Sequence, residues 1–281
     1  MKKLFTISIL VIALALVLIG CQKAAEPAEP SSGSQNEVLS GNITIAGSTS
    51  VQPLAEQLAQ IFMEKNQGVR IDVQGGGSSV GVQSAHEGVA DIGTSSRELK
   101  NEEKPYNLKE FVIAKDGIAV IVNSGNQAVS ELTLEQVKKI FTGQVTNWKE
   151  VGGADAKITV VNREEGSGTR GAFEEIVLGK DKFVENAIIQ PSTGAVKQTV
   201  STDPNAIGYI SMGSLDNSVK GVKVEGAEPT SENVVNGSYK ISRPFLMLTK
   251  EEPQGAVKAF LDFIFSPEGQ NIVGQEFIKV R

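Results

Sequence analysis

The sequence holds one cysteine and one histidine among 281 residues, and that scarcity removes several kinds of chemistry. A lone cysteine makes no disulfide framework, so the folded part must rest on its own apolar core. One histidine with no spare cysteine gives no support to a zinc or other transition-metal site. No Gly-Lys-Ser/Thr follows any glycine cluster, which excludes a Walker A loop. Basic side chains are outnumbered, 27 to 33, and the net charge of −6 is not that of a nucleic-acid binder. The same negative field attracts no anion from a distance, so an anion site here must rely on local donors. What is present is 40% hydrophobic residues, enough to fill a sizeable core in one or two domains.

The start of the chain is set apart. Lys2 and Lys3 precede an uncharged apolar run from Leu4 to Ile19, which ends in Leu18-Ile19-Gly20-Cys21. This is the layout of a secretory signal, and the run is short for a spanning helix, which needs about 20 residues. The ending resembles a bacterial lipobox, which implies that residues 1–20 are removed and Cys21 becomes the lipidated first residue. That places the protein outside the cytoplasm, anchored to the outer face of the cell membrane. Removing two lysines and no acid leaves 25 basic against 33 acidic side chains, a net charge of −8. Residues 22 to about 40, "QKAAEPAEPSSGSQNEVLS", offer almost nothing apolar to bury and read as a flexible tether.

From Gly41 onward, strand and helix patterns interleave. "NITIAG" and "VRIDVQ" place Ile43 and Ile45, then Val69, Ile71 and Val73, on one face each. Between them Val51, Leu54, Leu58, Ile61 and Phe62 recur at helical spacing, with Pro53 tolerated in the first turn. Strand, helix, strand in this order predicts an α/β domain with a largely parallel sheet. A second block after "GIAVIVN" (117–123) holds the helix "TLEQVKKIF", the strand "KITVVN", the helix "GAFEEIVLG" and the strand "AIGYIS". The run "PFLMLT" (244–249) precedes a C-terminal helix with Val257, Phe260, Leu261, Ile264 and Phe265 on one face. Residues 215–240 are polar and only weakly periodic, and no element is assigned there.

One signal recurs. Four strand-like runs end in a Ser/Thr/Gly cluster that opens a helical run: "AGSTSV" (46–51), "QGGGSSVG" (74–81), "GTSSREL" (93–99) and "GSGTRG" (166–171). In an open α/β sheet such junctions lie at the carboxyl ends of strands, where ligands bind. Helix starts supply unpaired N–H groups, glycines allow close backbone approach, and hydroxyls add short adjustable donors. A single cluster of this kind is most often a helix cap. Four of them, with Arg163 four residues before Ser167, predict a cage for a small oxyanion, since a guanidinium fork matches two oxygens of a phosphate-like group. Arg97 and Arg170 are further candidates, although a structural role is the preferred reading for each. Gly77 to Gly81 also fits G-x-S-x-G, the nucleophile elbow. His86, only seven residues after Ser79, offers no usual triad route and reads as an exposed helix residue.

The chain from Gly41 to Arg281 resembles the phosphate-binding lipoproteins of ATP-driven phosphate importers. The stretches that carry the resemblance are "AGSTSVQPL", "VQGGGSSVG", "ADIGTSSREL", "IFTGQVTNWKEVGG", "VNREEGSGTRGAFEE" and "AIGYIS", in that order. It implies an α/β, two-lobed periplasmic-binding-protein-like (type II) fold, each lobe a mixed sheet flanked by helices, with the ligand between them. Residues 41–119 plus 242–281 would form one lobe and 120–241 the other. It further implies that Thr49, the Ser50 amide, Ser78, Arg163, Ser167, Gly168 and Thr169 touch the anion. Trp148, in the "NWK" signature, is read as packing.

One departure stands out. Ser96, also expected to touch the anion, occupies the place where familiar members carry an aspartate, which would accept phosphate's proton and repel fully ionised sulfate. Glu165 is expected to orient Arg163 from behind, and Arg97 to stand near the site. The resemblance implies a monomeric receptor that hands inorganic phosphate to the membrane subunits of an ABC permease, with no cofactor, metal, nucleic acid or catalytic residue. The alternatives are a receptor for sulfate, molybdate or tungstate, a secreted serine hydrolase or phosphatase, and a sensor or adhesin without a transporter.

Overall fold

The computed structural model describes residues 39–281. The expected signal peptide, the lipidation site Cys21 and the tether up to residue 38 lie outside the described residues. β1 (Ser40–Gly47) turns Ile43 and Ile45 inward, and β2 (Gly68–Gly75) pairs beside it in parallel, with Ile43 opposite Ile71. Between them α1 (Gln52–Lys65) buries Leu54, Ala55, Leu58, Ala59 and Phe62 along one face, with Pro53 in its first turn. α2 (Ser78–Glu87) then leads to β3 (Ile92–Ser95), parallel to β1 on its other side. Gly47 has a φ of 140°, and a Cβ there would overlap the Thr94 carbonyl oxygen and lie 2.8 Å from Gly81 Cα. Only glycine lets β1, β3 and α2 approach this closely.

The long strand β4 (Lys109–Asn123) follows, then β5 (Glu131–Leu132) and α3 (Leu134–Phe141), which opens with a capping box formed by Thr133 and Gln136. Next come β6 (Thr159–Arg163), α4 (Gly168–Phe173), β7 (Ile188–Gln190), α5 (Thr193–Thr202) and β8 (Ala206–Ser211). The segment left without elements by its sequence holds β9 (Val219–Gly221), β10 (Lys223–Val224) and α6 (Ser231–Val235). β11 (Ser242–Thr249), α7 (Gly255–Phe265) and α8 (Pro267–Glu276) return the chain to its first half.

The strands run in the order β2-β1-β3-β11-β4-β8-β6-β7, with β9 beside β4. The sheet is mixed rather than largely parallel, because β11 runs antiparallel to both β3 and β4, and β4 antiparallel to β8. β4 pairs with β11 along its first part and with β8 and β9 along its second. Its side chains accordingly enter two cores. Ile113 and Ala114 join Ile43, Phe62, Phe245 and Phe260, whereas Ile118, Val120 and Val122 join Phe141, Trp148, Phe173 and Tyr209. On the opposite face of β4 and β8, Val196 and Val200 of α5 cover Ala119, Ile121 and Ile210. Burial on both faces explains why "AIGYIS" reads as a continuous apolar run.

Three local expectations are refined. The helix expected at 171–179 begins earlier, at Gly168, and widens into a π-helical turn at Glu174–Leu178. Trp148 is buried in the core and donates Nε1–H to the Asn205 carbonyl at 3.0 Å. His86 is half-buried rather than exposed, because its ring stacks on Tyr106 with centroids 3.9 Å apart.

Candidate anion-binding site

The four Ser/Thr/Gly junctions meet. The Gly47 carbonyl, at the end of β1, accepts the N–H groups of Gly76 and Gly77 at 2.8 and 2.9 Å, which ties the first junction to the second. Ser48 donates its N–H to Thr94 Oγ1 at 2.9 Å and its hydroxyl to Ser96 Oγ at 2.9 Å, bringing in the third. Ser96 donates its N–H to Ser78 Oγ at 3.0 Å. The fourth junction closes over these from the β6 side: Ser79 N–H donates to the Gly166 carbonyl at 3.1 Å, and Ser50 Oγ lies 2.8 Å from Thr169 Oγ1. Ser50, Ser78, Ser96, Arg163, Ser167 and Thr169 are each at most 2% exposed, so polar side chains converge here in a buried setting. Thr49 is half-buried at the rim, and Gly168 sits against Ser78 and Ser96. All eight residues expected at the anion therefore lie in one cluster.

Arg163 ends β6 and is held from two directions. Its N–H donates to Asn162 Oδ1 at 2.8 Å, and Tyr209 donates its hydroxyl to the same oxygen. Burial raises the Tyr209 hydroxyl above the usual phenol range, so it remains a donor at neutral pH, and its ring stacks on Phe173 at 4.2 Å. The guanidinium meets Glu164, with Nε to Oε2 and Nη2 to Oε1 both at 2.8 Å, while Nη1 reaches Thr193 Oγ1 at 3.3 Å. Glu164, not Glu165, thus orients the arginine. The turn closed by Ser167 N–H on the Glu164 carbonyl brings the Glu164 side chain against the guanidinium and leaves Glu165 exposed. One edge of the Arg163 fork is consequently occupied by Glu164, leaving the Nη1 side toward the hydroxyls.

The other two arginines are engaged by protein partners. Arg97 donates from Nη1 and Nη2 to the two Glu103 carboxylate oxygens, both at 2.7 Å, and from Nη2 to Ser79 Oγ at 3.3 Å. Burial alone would raise the Glu103 carboxyl; hydrogen bonds from Arg97 and the Lys100 backbone outweigh it and hold the group below the usual carboxylate range. Arg170 donates to the Arg163 carbonyl at 3.1 Å and lies 5.3 Å over the Phe183 ring. Ser167 serves as the cap of α4, accepting the Arg170 N–H at 3.2 Å, so the capping reading of this junction holds alongside any ligand role. Ser79, the elbow candidate, has Arg97 as its side-chain partner, while His86 is engaged with Tyr106.

Four residues of this cluster escaped sequence reasoning. Thr193 lies 2.9 Å from Ser50 Oγ and 3.4 Å from Thr49 Oγ1. Its signal was a fifth cluster of the same kind, "PSTGA", in which Ser192 caps α5 by accepting the Ala195 N–H. Ser48, in the first cluster, is the acceptor-donor that links the others. Arg243 of β11 and Asp116 of β4, directly paired across the two strands, form an ion pair with Nη2 3.0 Å from Oδ2 and with both side chains at most 1% exposed. Burial pushes the Asp116 carboxyl up against the pull of Arg243 and of the Ser211 hydroxyl, and pulls the Arg243 guanidinium down. An arginine stays protonated through any such shift, so Arg243 keeps its charge at neutral pH. Arg97, Arg163 and Arg243 are each matched by one carboxylate, whereas Arg170 meets a carbonyl and an aromatic ring.

The sequence signature of the PBP superfamily domain matches residues 25–268. The phosphate-binding protein PstS of Bacillus subtilis (strain 168) is 36% identical over 287 residues, covering 99% of this chain and 95% of that protein. The chain belongs to the PstS family. Among solved structures, a substrate-binding protein assigned to phosphate ABC transport in Clostridium perfringens, with bound phosphate, is 51% identical with a TM-score of 0.83, covering 86% of this chain and all of that one. An ABC-type phosphate transport receptor from Vibrio cholerae is 38% identical with a TM-score of 0.70, covering 85% of this chain and all of that one. The PstS fold of this chain is thus the two-lobed one of periplasmic binding proteins, a mixed sheet flanked by helices.

Proposed function

We propose that this protein captures inorganic phosphate between its two lobes outside the cytoplasm and delivers it to the membrane subunits of an ABC importer. The observation that carries the proposal is the convergence of Ser50, Ser78, Ser96, Thr169 and Arg163 from separate strand ends into one buried cluster. Its relatives' names and the bound phosphate of the C. perfringens structure support the choice of anion. The anion contacts are assigned to Thr49, Ser50, Ser78, Ser96, Arg163, Ser167, Gly168 and Thr169. Hydroxyl groups pair with one another as donor or acceptor and can turn their protons to an arriving anion. Because the two sides each supply part of this donor set, phosphate binds the closed form best and shifts the population toward it.

Residues 41–119 with 242–281 form one lobe and 120–241 the other in this reading, which is supported by the parting of the two cores on β4, although Ile118 and Ala119 already pack with residues of the second lobe. The protein performs no chemistry on the anion, acts as a monomer, and is exported by its signal peptide and anchored through a lipid on Cys21. Titration calorimetry of the purified protein, unfolded and refolded to strip carried ligand, tests the central claim with phosphate and sulfate at two pH values. Tight phosphate binding is the expected result, and no heat with either anion overturns the receptor reading. Mass spectrometry of membrane-extracted protein checks the anchor, with an unmodified Cys21 counting against it.

A further inference from the structure

Behind the cluster, Arg243 and Asp116 face each other across β11 and β4 at the level where the two cores part. Nε and Nη2 of Arg243 both donate to Asp116 Oδ2, at 3.2 and 3.0 Å, and Asp116 Oδ1 accepts the Ser211 hydroxyl at 2.9 Å. The remaining nitrogen, Nη1, donates to Ser96 Oγ at 3.3 Å. A fully buried ion pair is a poor source of stability compared with apolar side chains of similar volume. Its placement against Ser96 points to a role in the site.

That role follows from counting lone pairs. A serine oxygen accepts two hydrogen bonds and donates one. Ser96 Oγ already accepts from Ser48 Oγ at 2.9 Å and from Arg243 Nη1, so only its proton is left to offer. The remaining side-chain partner for that proton is Ser78 Oγ, at 3.4 Å, well beyond the usual O–H···O distance. Either Ser96 donates to the anion directly, or it donates to Ser78, whose own proton then turns to the anion. In both arrangements the Ser96–Ser78 pair presents the ligand with a donor, not an acceptor.

We infer that Arg243, held by Asp116, is a positioning residue for the anion site, fixing the Ser96 oxygen as an acceptor so that the Ser96–Ser78 pair faces the ligand as donors. The inference rests on the phosphate-receptor reading of the same site. Arg243 touches no ligand; its effect passes through Ser96. The influence of Arg243 on phosphate affinity must therefore depend on Ser96 being present.

A double-mutant cycle measured by titration calorimetry with inorganic phosphate tests this, using the wild type, Arg243→Lys, Ser96→Ala and the double variant. Lysine retains a charge for Asp116 but cannot span Asp116 and Ser96 with a rigid fork. Arg243→Lys is expected to weaken phosphate binding about tenfold when Ser96 is present, and less than about threefold in the Ser96→Ala background. Equal losses in the two backgrounds overturn the inference, since a merely structural arginine would act the same in both. Should Arg243→Lys fail to fold, Arg243→Met with Asp116→Leu removes both buried charges together, a change that is often neutral for stability. That variant is expected to lose phosphate affinity to the same degree and with the same dependence on Ser96; wild-type affinity in it overturns the inference. Wild-type protein that binds no phosphate would instead overturn the receptor reading, before any variant is compared.

Discussion

Gly168 sits directly on Ser78: a Cβ at position 168 would fall on the Ser78 hydroxyl, 2.9 Å from Ser78 Cβ and 2.7 Å from Ser96 Oγ. Rotation of the serine cannot relieve a contact with its own Cβ, so a side chain at 168 must push the two sides of the site apart. Overpacking of this kind costs about 1–3 kcal/mol. Gly168→Ala is expected to weaken phosphate binding about tenfold or more while circular dichroism shows an intact fold. Wild-type affinity in that variant would mean that the two sides do not need to close to this distance around the anion.

The pairing of Arg163 with Glu164 makes the arginine's removal a two-part loss. Arg163→Ala deletes the Nη1 donor and leaves the Glu164 carboxylate without the partner that both its oxygens meet at 2.8 Å. Affinity is expected to drop by about 2 kcal/mol or more, roughly thirtyfold, because an anion and a carboxylate then share the site uncompensated. Adding Glu164→Gln removes the repelling charge and is expected to restore part of the loss, several-fold, in the same titration. Identical affinities for the single and double variants would show that Glu164 exerts no field on the ligand, and wild-type affinity in Arg163→Ala would remove Arg163 from the site.

What was legible in the sequence follows the length of each pattern. Ile43 with Ile45, Val69 with Ile71, and the α1 stripe from Leu54 to Phe62 all lie where their spacing put them, because each repeats long enough to define a face. β9 and β10 are three and two residues long, too short to show a period, and 215–240 stayed blank for that reason. The beginning of β4 was hidden differently. Lys115 and Asp116 interrupt its apolar run, and nothing local reveals that Asp116 is neutralised by an arginine 127 residues away. At the site, residue types were readable because strand-end Ser/Thr/Gly clusters announce themselves. Which of two neighbouring glutamates meets Arg163 depends on one turn, and sequence spacing does not determine it.

Arg97 and Glu103 pair within the loop after β3, with side chains only 6% and 9% exposed, and Arg97 also reaches Ser79 of α2. Glu103→Gln leaves a buried guanidinium without its counter-charge, a change that typically costs about 3 kcal/mol or more. The pH dependence has a definite sign. The Glu103 carboxyl is held below its ordinary value in the folded protein, so its contribution to stability is present above the ordinary carboxylate range and lost as pH falls through the folded value. Thermal unfolding of wild type and variant should therefore differ clearly at neutral pH and converge in acid. A difference that is constant with pH would mean that the glutamate contributes by shape and not by charge.

Ser96→Asp tests how the site tells anions apart. A carboxylate at 96 would stand where the Ser96 oxygen now accepts from Ser48 and Arg243, so it would be held in place by the same two donors. It would offer the lone pairs that serine lacks for phosphate's proton, and it would repel an anion that carries no proton. Titration of the variant with both anions is expected to show sulfate affinity falling more than phosphate affinity, with the ratio moving about tenfold or more. The outcome also bears on Arg243: a new carboxylate competes with Asp116 for one guanidinium, so the variant should be rescued in stability by Asp116→Asn, which leaves a single negative charge beside Arg243. If sulfate binding is untouched by Ser96→Asp, residue 96 does not read the protonation of the ligand, and discrimination must come from the Glu164 side of the site.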